Sequence, residues 1–249
     1  MILNSKIVIF IIVINNVFCL EADEILYKTL QRFKGVDRCF TIEITEQKKN
    51  RNEKHKKFKS WTHWDENHIK KERVLMLKPD RLKNVNFWSH TSDGNVEKWM
   101  TLPKIGKLKK VKGNFSKKDE FDFSELELKK ENIINHFNSI VGEDNVNGRS
   151  TYIIENKKNN KKGEVKLIKK IWIDKNDFII HKAVYINRKG KVIKEINLSE
   201  LLIIDNYPIL SKIDVKDFKK NKNISIRFSD IKFEKITTLD MFIPKALDK

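Results

Sequence analysis

Alanine is almost missing from this chain: Ala22, Ala183 and Ala246 are the only three in 249 residues. Arginine is scarce as well, with 8 against 44 lysines, whereas asparagine and isoleucine are abundant. Lys, Asn and Ile have AT-rich codons and Ala, Gly, Pro and Arg do not, so most of the formal net charge of +18 is compositional background. Proteins that read bases favour arginine, whose planar fork bonds a guanine edge bidentately. The shortage of arginine therefore argues against a base-reading role.

Cysteine is nearly absent too. Only Cys19 and Cys39 occur, and removal of a leader ending at Cys19 would leave Cys39 alone, with no internal disulfide. The fold must then stand on its core. With four prolines and eight glycines there is no Gly/Ser/Pro-rich linker, and no internal repeat is found. About 230 residues fit one β-rich domain without division.

Catalytic signatures are missing in the same way. The chain has no G-x-S-x-G, phosphate-binding loop or dinucleotide fingerprint. The densest group of possible metal ligands, His63, Asp65, Glu66 and His68 in "WTHWDENH", has no zinc-site spacing and reads as a solvated turn with aromatics. Asp119, Glu120 and Asp122 lie among lysines, where carboxylates form surface ion pairs. No catalytic residue, metal or cofactor is expected, and the chain is read as a non-enzyme.

What is present begins with "MILNSKIVIFIIVINNVFC": one charge at Lys6, an apolar run from Ile7 to Ile14, then a short polar tail. This is the layout of a secretory signal peptide, and the run is too short for a span of roughly 20 residues. Cleavage after Cys19 leaves the mature domain 20–249; acylation of Cys19 as a lipid anchor is the alternative. Either way the chain is expected to be exported.

Next, "EADEILYKTLQRFKG" (Glu21 to Gly35) sets Ile25, Leu26, Leu30 and Phe33 at helical spacing, with acids in the first turn. In "CFTIEITEQ" the pattern changes to strict alternation, with Phe40, Ile42 and Ile44 on one face. "FKSWTHWDE" and "IKKERVLMLKP" continue as strands, and Ser92-Asp93-Gly94-Asn95 supplies a hairpin turn. "SELELKKENIINHFNSIVG" predicts a second helix with Ile133, Ile134, Phe137 and Ile140 on one face.

From Thr151 alternation returns, with turns at Lys157 to Gly163, Asp174 to Asp177 and Asn187 to Gly190, describing an antiparallel meander. The parity of Ile224, Ile226 and Phe228 slips before Ile231 and Phe233, which predicts a bulge near Ser229. Trp61, Trp64, Trp88, Trp99 and Trp172 fall in or beside predicted strands, and "KKIWIDK" is expected to bury Trp172 among isoleucines. A long sheet with one apolar face and few helices curls around that face.

Several stretches resemble the LolA-like outer-membrane lipoprotein-sorting proteins. "KWMTLPKIGKLKKVK" (Lys98 to Lys112) is similar to that family's tryptophan, leucine-proline and basic run, and "FDFSELEL" (Phe121 to Leu128) to its Asp-Phe-Ser stretch. "KIWIDKNDFIIHKAVYINRKGKVIKE" (Lys170 to Glu195) and "ISIRFSDIKFEKITTLDMFIPKAL" (Ile224 to Leu247) resemble its later strands and its ending. Phe121 and Glu125 depart from the small and aromatic residues common there.

The resemblance implies a mainly β (α+β) fold: a curled antiparallel sheet forming an incomplete β-barrel, with helices over an apolar concave face that takes up acyl chains. It further implies a monomeric periplasmic carrier of lipoproteins or lipids toward the outer membrane, in transient contact with membranes. The implied partners are acyl chains and an inner-membrane transporter of the resistance-nodulation-division type, with no nucleic acid. On strand parity the cavity candidates are Phe40, Ile42, Ile44, Leu75, Leu77, Val96, Trp99, Met100, Leu102, Ile171 and Ile173, with Leu26, Leu30 and Phe33 in the lid. Each also reads as ordinary core. The alternatives are an envelope sensor that binds a protein partner on the same fold, and an exported polyanion binder whose affinity falls steeply with salt.

Overall fold

The computed structural model describes residues 20–101, 106–112, 128, 130–159 and 163–246. The expected leader 1–19, Leu102 and the family-like residues 121–127 lie outside them.

The chain opens with α1 (Ala22–Gln31), which has Asp23 and Glu24 in its first turn and Lys28 in its last. That placement complements the helix dipole, and the Glu24–Lys28 pair at 2.9 Å adds an i,i+4 contact. Five strands follow: β1 (Arg38–Lys48), β2 (Lys54–Trp64), β3 (Lys70–Lys78), β4 (Asn86–Ser92) and β5 (Asn95–Thr101). After the short β6 (Leu108–Lys110) and α2 (Lys130–Ile134) comes the second run. It comprises β7 (Phe137–Val146), β8 (Arg149–Asn159), β9 (Val165–Asp174), β10 (Ile180–Ile186), β11 (Val192–Ile204), β12 (Tyr207–Asp217) and β13 (Lys222–Lys232).

All thirteen strands form one antiparallel sheet in the order β6-β5-β4-β3-β2-β1-β13-β12-β11-β10-β9-β8-β7. Two meanders are joined where the first strand pairs with the last, Ile44 opposite Ile226 and Ile42 opposite Phe228. The end strands β6 and β7 do not pair with each other among the described residues, so the barrel stays incomplete.

Local chemistry sets the turns. Asp93 and Gly94, both with positive φ, make the two-residue connection between β4 and β5. The β13 irregularity falls between Ser229 and Lys232, with Asp230 at φ 50°, one residue beyond the position the sequence pattern predicts.

Two expectations about helices are corrected. The helix expected to run through Phe137 and Ile140 ends at Ile134, and both residues belong to β7. Ile133 is buried, whereas Ile134 and Phe137 are exposed. β7 is an edge strand, and its register against β8 shifts between Ile140 and Gly142, which scrambles the two-residue period. Likewise α1 stops before Phe33, so that ring lies beyond the helix.

The two helices do not cover the whole apolar face. α1 and α2 pack over the β7–β10 part, where Ile25, Leu26 and Ile133 meet Ile154, Ile171 and Ile173. Across β1–β3 and β10–β13 a second cluster centres on Ile44, Ile196, Ile213 and Ile226; there Leu82 and Val85, from the β3–β4 connection, fold onto Met76.

Candidate ligand-binding face

Residues paired across neighbouring strands share a face of the sheet. Starting from the isoleucines beneath α1, the register gives one continuous inner rung: Ile154, Ile171, Ala183, Ile196, Val215, Ile224. A neighbouring rung carries Ile213, Ile226 and Ile44. On the other half of the sheet the same face continues through Ile42, Phe58 and Met76, and through Phe40, Val74, Phe87 and Met100. The result is an apolar floor across most of the sheet, each buried isoleucine contributing about 1.5–3 kcal/mol.

Most cavity candidates from the sequence fall on this floor. Phe40, Ile42, Ile44 and Met100 belong to the larger cluster, and Ile171 and Ile173 to the one beneath α1, onto which Leu26 and Leu30 of the helix pack. Val96, opposite Thr91, shares their face but is half exposed.

Others are elsewhere. Leu75 pairs with Lys59 and Asn86 and so points away from the floor, whereas Leu77 falls in the register shift between β2 and β3 and is paired across neither neighbouring strand. The "RVLML" run is apolar on both parities, and only the register distinguishes them. Trp99, opposite Trp88, is also on the outer face; its ring meets His90 edge-on at 4.9 Å and carries Lys110 Nζ at 5.7 Å. Phe33 stacks on Phe233 at 5.4 Å and lies near Tyr207, forming an aromatic corner flanked by Arg32 and Arg38.

Nor is Trp172 buried among isoleucines. It pairs with Ile153 and Lys182 on the outer face, where Lys182 Nζ sits 5.1 Å over the ring and Nε1 donates to Asp144. Trp61 is covered similarly by Lys59 and Arg73. Lysine stems and charges thus cover outer tryptophans.

Part of the outer face has an apolar cover of its own. The segment after β13 crosses it, held by Trp88 Nε1 donating to the Met241 carbonyl, His90 Nε2 3.0 Å from the Phe242 carbonyl, and Thr101 donating to Lys245. Asp37 anchors its start by accepting from the Ile236 and Trp64 N–H groups and lying 2.8 Å from His63 Nδ1. His63 therefore binds Asp37, while Asp65 accepts from Asn67 and Ile69 in the following turn. The histidine and the turn carboxylate thus serve different partners at the same end of β2.

At the β7–β10 end, Asp174 is a polar anchor the sequence reading missed. Arg149 donates to it from Nε at 2.7 Å, and the Asn176 and Asp177 N–H groups add two more bonds. Burial pushes the Asp174 carboxyl up, but these donors outweigh it and hold it below the usual carboxylate range. His181, fully buried with Nε2 3.7 Å from Asp174, is lowered by its own burial. The Asp-Lys-Asn-Asp turn was legible; the arginine that closes it lies 25 residues away in sequence.

A family model described as an uncharacterized protein matches residues 68–249. No curated protein matches the sequence. Among solved structures, a DUF1329 family protein from Desulfovibrio piger aligns with a TM-score of 0.71 at 15% identity, over 89% of this chain and 95% of that one. A domain from Vibrio parahaemolyticus named for outer-membrane lipoprotein sorting gives 0.68 at 19%, over 88% and 95%. A LolA superfamily protein from Nitrosomonas europaea gives 0.62 at 13%, over 90% and 98%. The chain belongs to the family that the matching model describes, and its fold is the LolA-like incomplete barrel of the outer-membrane lipoprotein-sorting proteins.

Proposed function

We propose that the protein is an exported, non-enzymatic carrier that takes acyl chains of lipids or lipoproteins onto its apolar inner face and moves them toward the outer membrane. The observation that carries this reading is the continuous apolar floor from Ile154 through Ile44 and Phe58 to Met76, buried along its length although α1 packs over only one part of it. Each methylene moved from water onto such a surface gains about 0.8 kcal/mol, so a long chain is held by area without covalent chemistry. Cavity residues in this reading are Phe40, Ile42, Ile44, Met100, Ile171 and Ile173, with Leu26 and Leu30 in the lid.

The remaining parts of the proposal are a cleaved leader, from the layout of residues 1–19, and, from the resemblance, a periplasmic location and an inner-membrane transporter of the resistance-nodulation-division type as donor or acceptor. Purified protein incubated with a fluorescent long-chain fatty acid tests the core of it. Saturable uptake, displaced by unlabelled lipid, is expected. No uptake, together with a stoichiometric protein partner on co-purification, would replace the carrier by a partner-binding module.

A further inference from the structure

The end of the β11–β12 hairpin stands apart from the sheet. β11 pairs with β10 only as far as Asn197, and β12 with β13 only from Lys212 onward. Between those limits the two strands pair with each other alone, ending with Leu201 opposite Leu210 and Ile204 opposite Tyr207. Asp205 and Asn206, both with positive φ, close the turn of this two-stranded ribbon.

The ribbon exposes apolar residues on both of its faces. Leu201, Leu202 and Ile203 are 36%, 42% and 73% exposed, and Ile203 is the most exposed large apolar side chain among the described residues. Consecutive residues of a strand point to opposite faces, so whatever covers all three must surround the ribbon. A flat protein surface covers one face; a bilayer is fluid and closes around both. Its interfacial layer also keeps water within reach of the ribbon's open backbone edges, which hydrocarbon would not.

The base of the ribbon is held in place. Tyr207 lies 4.6 Å from the Phe233 ring, Asp205 accepts from the Phe233 N–H, and Arg32, beside the last turn of α1, donates to the Pro208 carbonyl. Of the other carboxylates near the base, Glu200 pairs with Arg227, Glu234 with Lys232, and Asp37 accepts from Trp64 and Ile236 beside His63. Lys34, next to Phe33, and Lys235, two positions after Phe233, are exposed and form no ion pair among the described residues. Exposed cations at the foot of an apolar tip complement the anionic headgroups of a bilayer.

We infer that the β11–β12 ribbon docks on a lipid bilayer, with Leu201, Leu202 and Ile203 entering the boundary between headgroups and acyl chains and Lys34 and Lys235 meeting the headgroups. The inference rests on the carrier reading, in which cargo is collected from or delivered to a membrane, and names the surface that makes the contact. Arg32 ties the ribbon to the end of α1, so docking brings the bilayer to the helix that covers part of the apolar floor.

The test is co-sedimentation of the full mature protein with vesicles of mixed phosphatidylcholine and phosphatidylglycerol, with fatty-acid uptake measured in parallel. Leu202→Ser/Ile203→Ser is expected to weaken vesicle binding about tenfold or more. Phe218→Ser, which replaces an exposed apolar residue just beyond the other end of β12, should leave it within about twofold. Vesicles of phosphatidylcholine alone should bind several-fold less, and thermal melts should show both variants folded. Uptake without vesicle binding, or vesicle binding that the ribbon variant keeps, overturns the ribbon and leaves the carrier standing; absence of both overturns both. A dimer of the parent protein that the ribbon variant abolishes would make a second copy the occupant and overturn the bilayer reading.

Discussion

Lys222 Nζ lies 2.8 Å from the Glu46 carboxylate, and both side chains are more than nine-tenths buried at the seam where the first strand of the sheet meets the last. One Glu46 oxygen makes no hydrogen bond, so its desolvation is offset chiefly by the lysine. Removing one partner leaves an uncompensated charge in the interior. Lys222→Ala is expected to cost about 3–5 kcal/mol in urea unfolding, and the apolar double replacement Glu46→Leu/Lys222→Met to recover most of it. A small loss in the single variant would mean that water reaches the pair.

Asp37, just before β1, joins the end of β2, through Trp64 and His63, to the segment leaving β13. Asp37→Ala should cost about 2–3 kcal/mol, because two backbone N–H groups lose their acceptor. It should also open the Lys235 region to trypsin under conditions in which the parent resists. Unchanged cleavage would show that Trp88, His90 and Thr101 hold the segment by themselves.

Stability should fall in two stages on acidification. Burial lowers the His181 pKa in the fold, so the native state prefers it neutral; its contribution is full above the unfolded value of about 6.5 and is lost as pH drops below it. Asp174 is held below its ordinary value, so its contribution is present above about pH 4 and lost beneath it. Urea midpoints from pH 8 to pH 3 test this. His181→Gln should flatten the first stage and leave the second; an unaltered profile would assign the first stage to other groups.

Much of this architecture could be read from alternation, because Phe40, Ile42 and Ile44 do face one core and Asp93-Gly94 does form the hairpin. Reading failed where apolar residues occupy both parities. Leu75 and Met76 look equivalent in sequence, and only pairing with Lys59 and Phe58 sends them to opposite faces. Trp99 misled for a different reason: the outer face is itself covered, by the C-terminal segment and by lysine stems, so a tryptophan there costs little. The β7 helix expectation failed because Ile133, Ile134, Phe137 and Ile140 satisfy helical spacing across a real boundary at Ile134. Asp37–His63 and Arg149–Asp174 are contacts between distant residues, which no local pattern carries.

Face assignment makes its own prediction about binding. Phe87→Asp, which puts a charge on the inner floor beside Met100, should weaken fatty-acid uptake about tenfold or more, the equivalent of losing roughly two methylenes of contact. Leu75→Ser, on the opposite face, should leave uptake within about twofold. Matching losses for both would place the acyl chain somewhere other than the inner face.

The central claim is that this face carries acyl chains in the cell. Native mass spectrometry of the exported protein, followed by organic extraction and lipid analysis, tests it most directly. The account predicts an adduct of one acyl-bearing molecule, on a chain whose intact mass shows cleavage after Cys19. Protein that arrives free of lipid and stays free after exposure to total envelope lipid would contradict it.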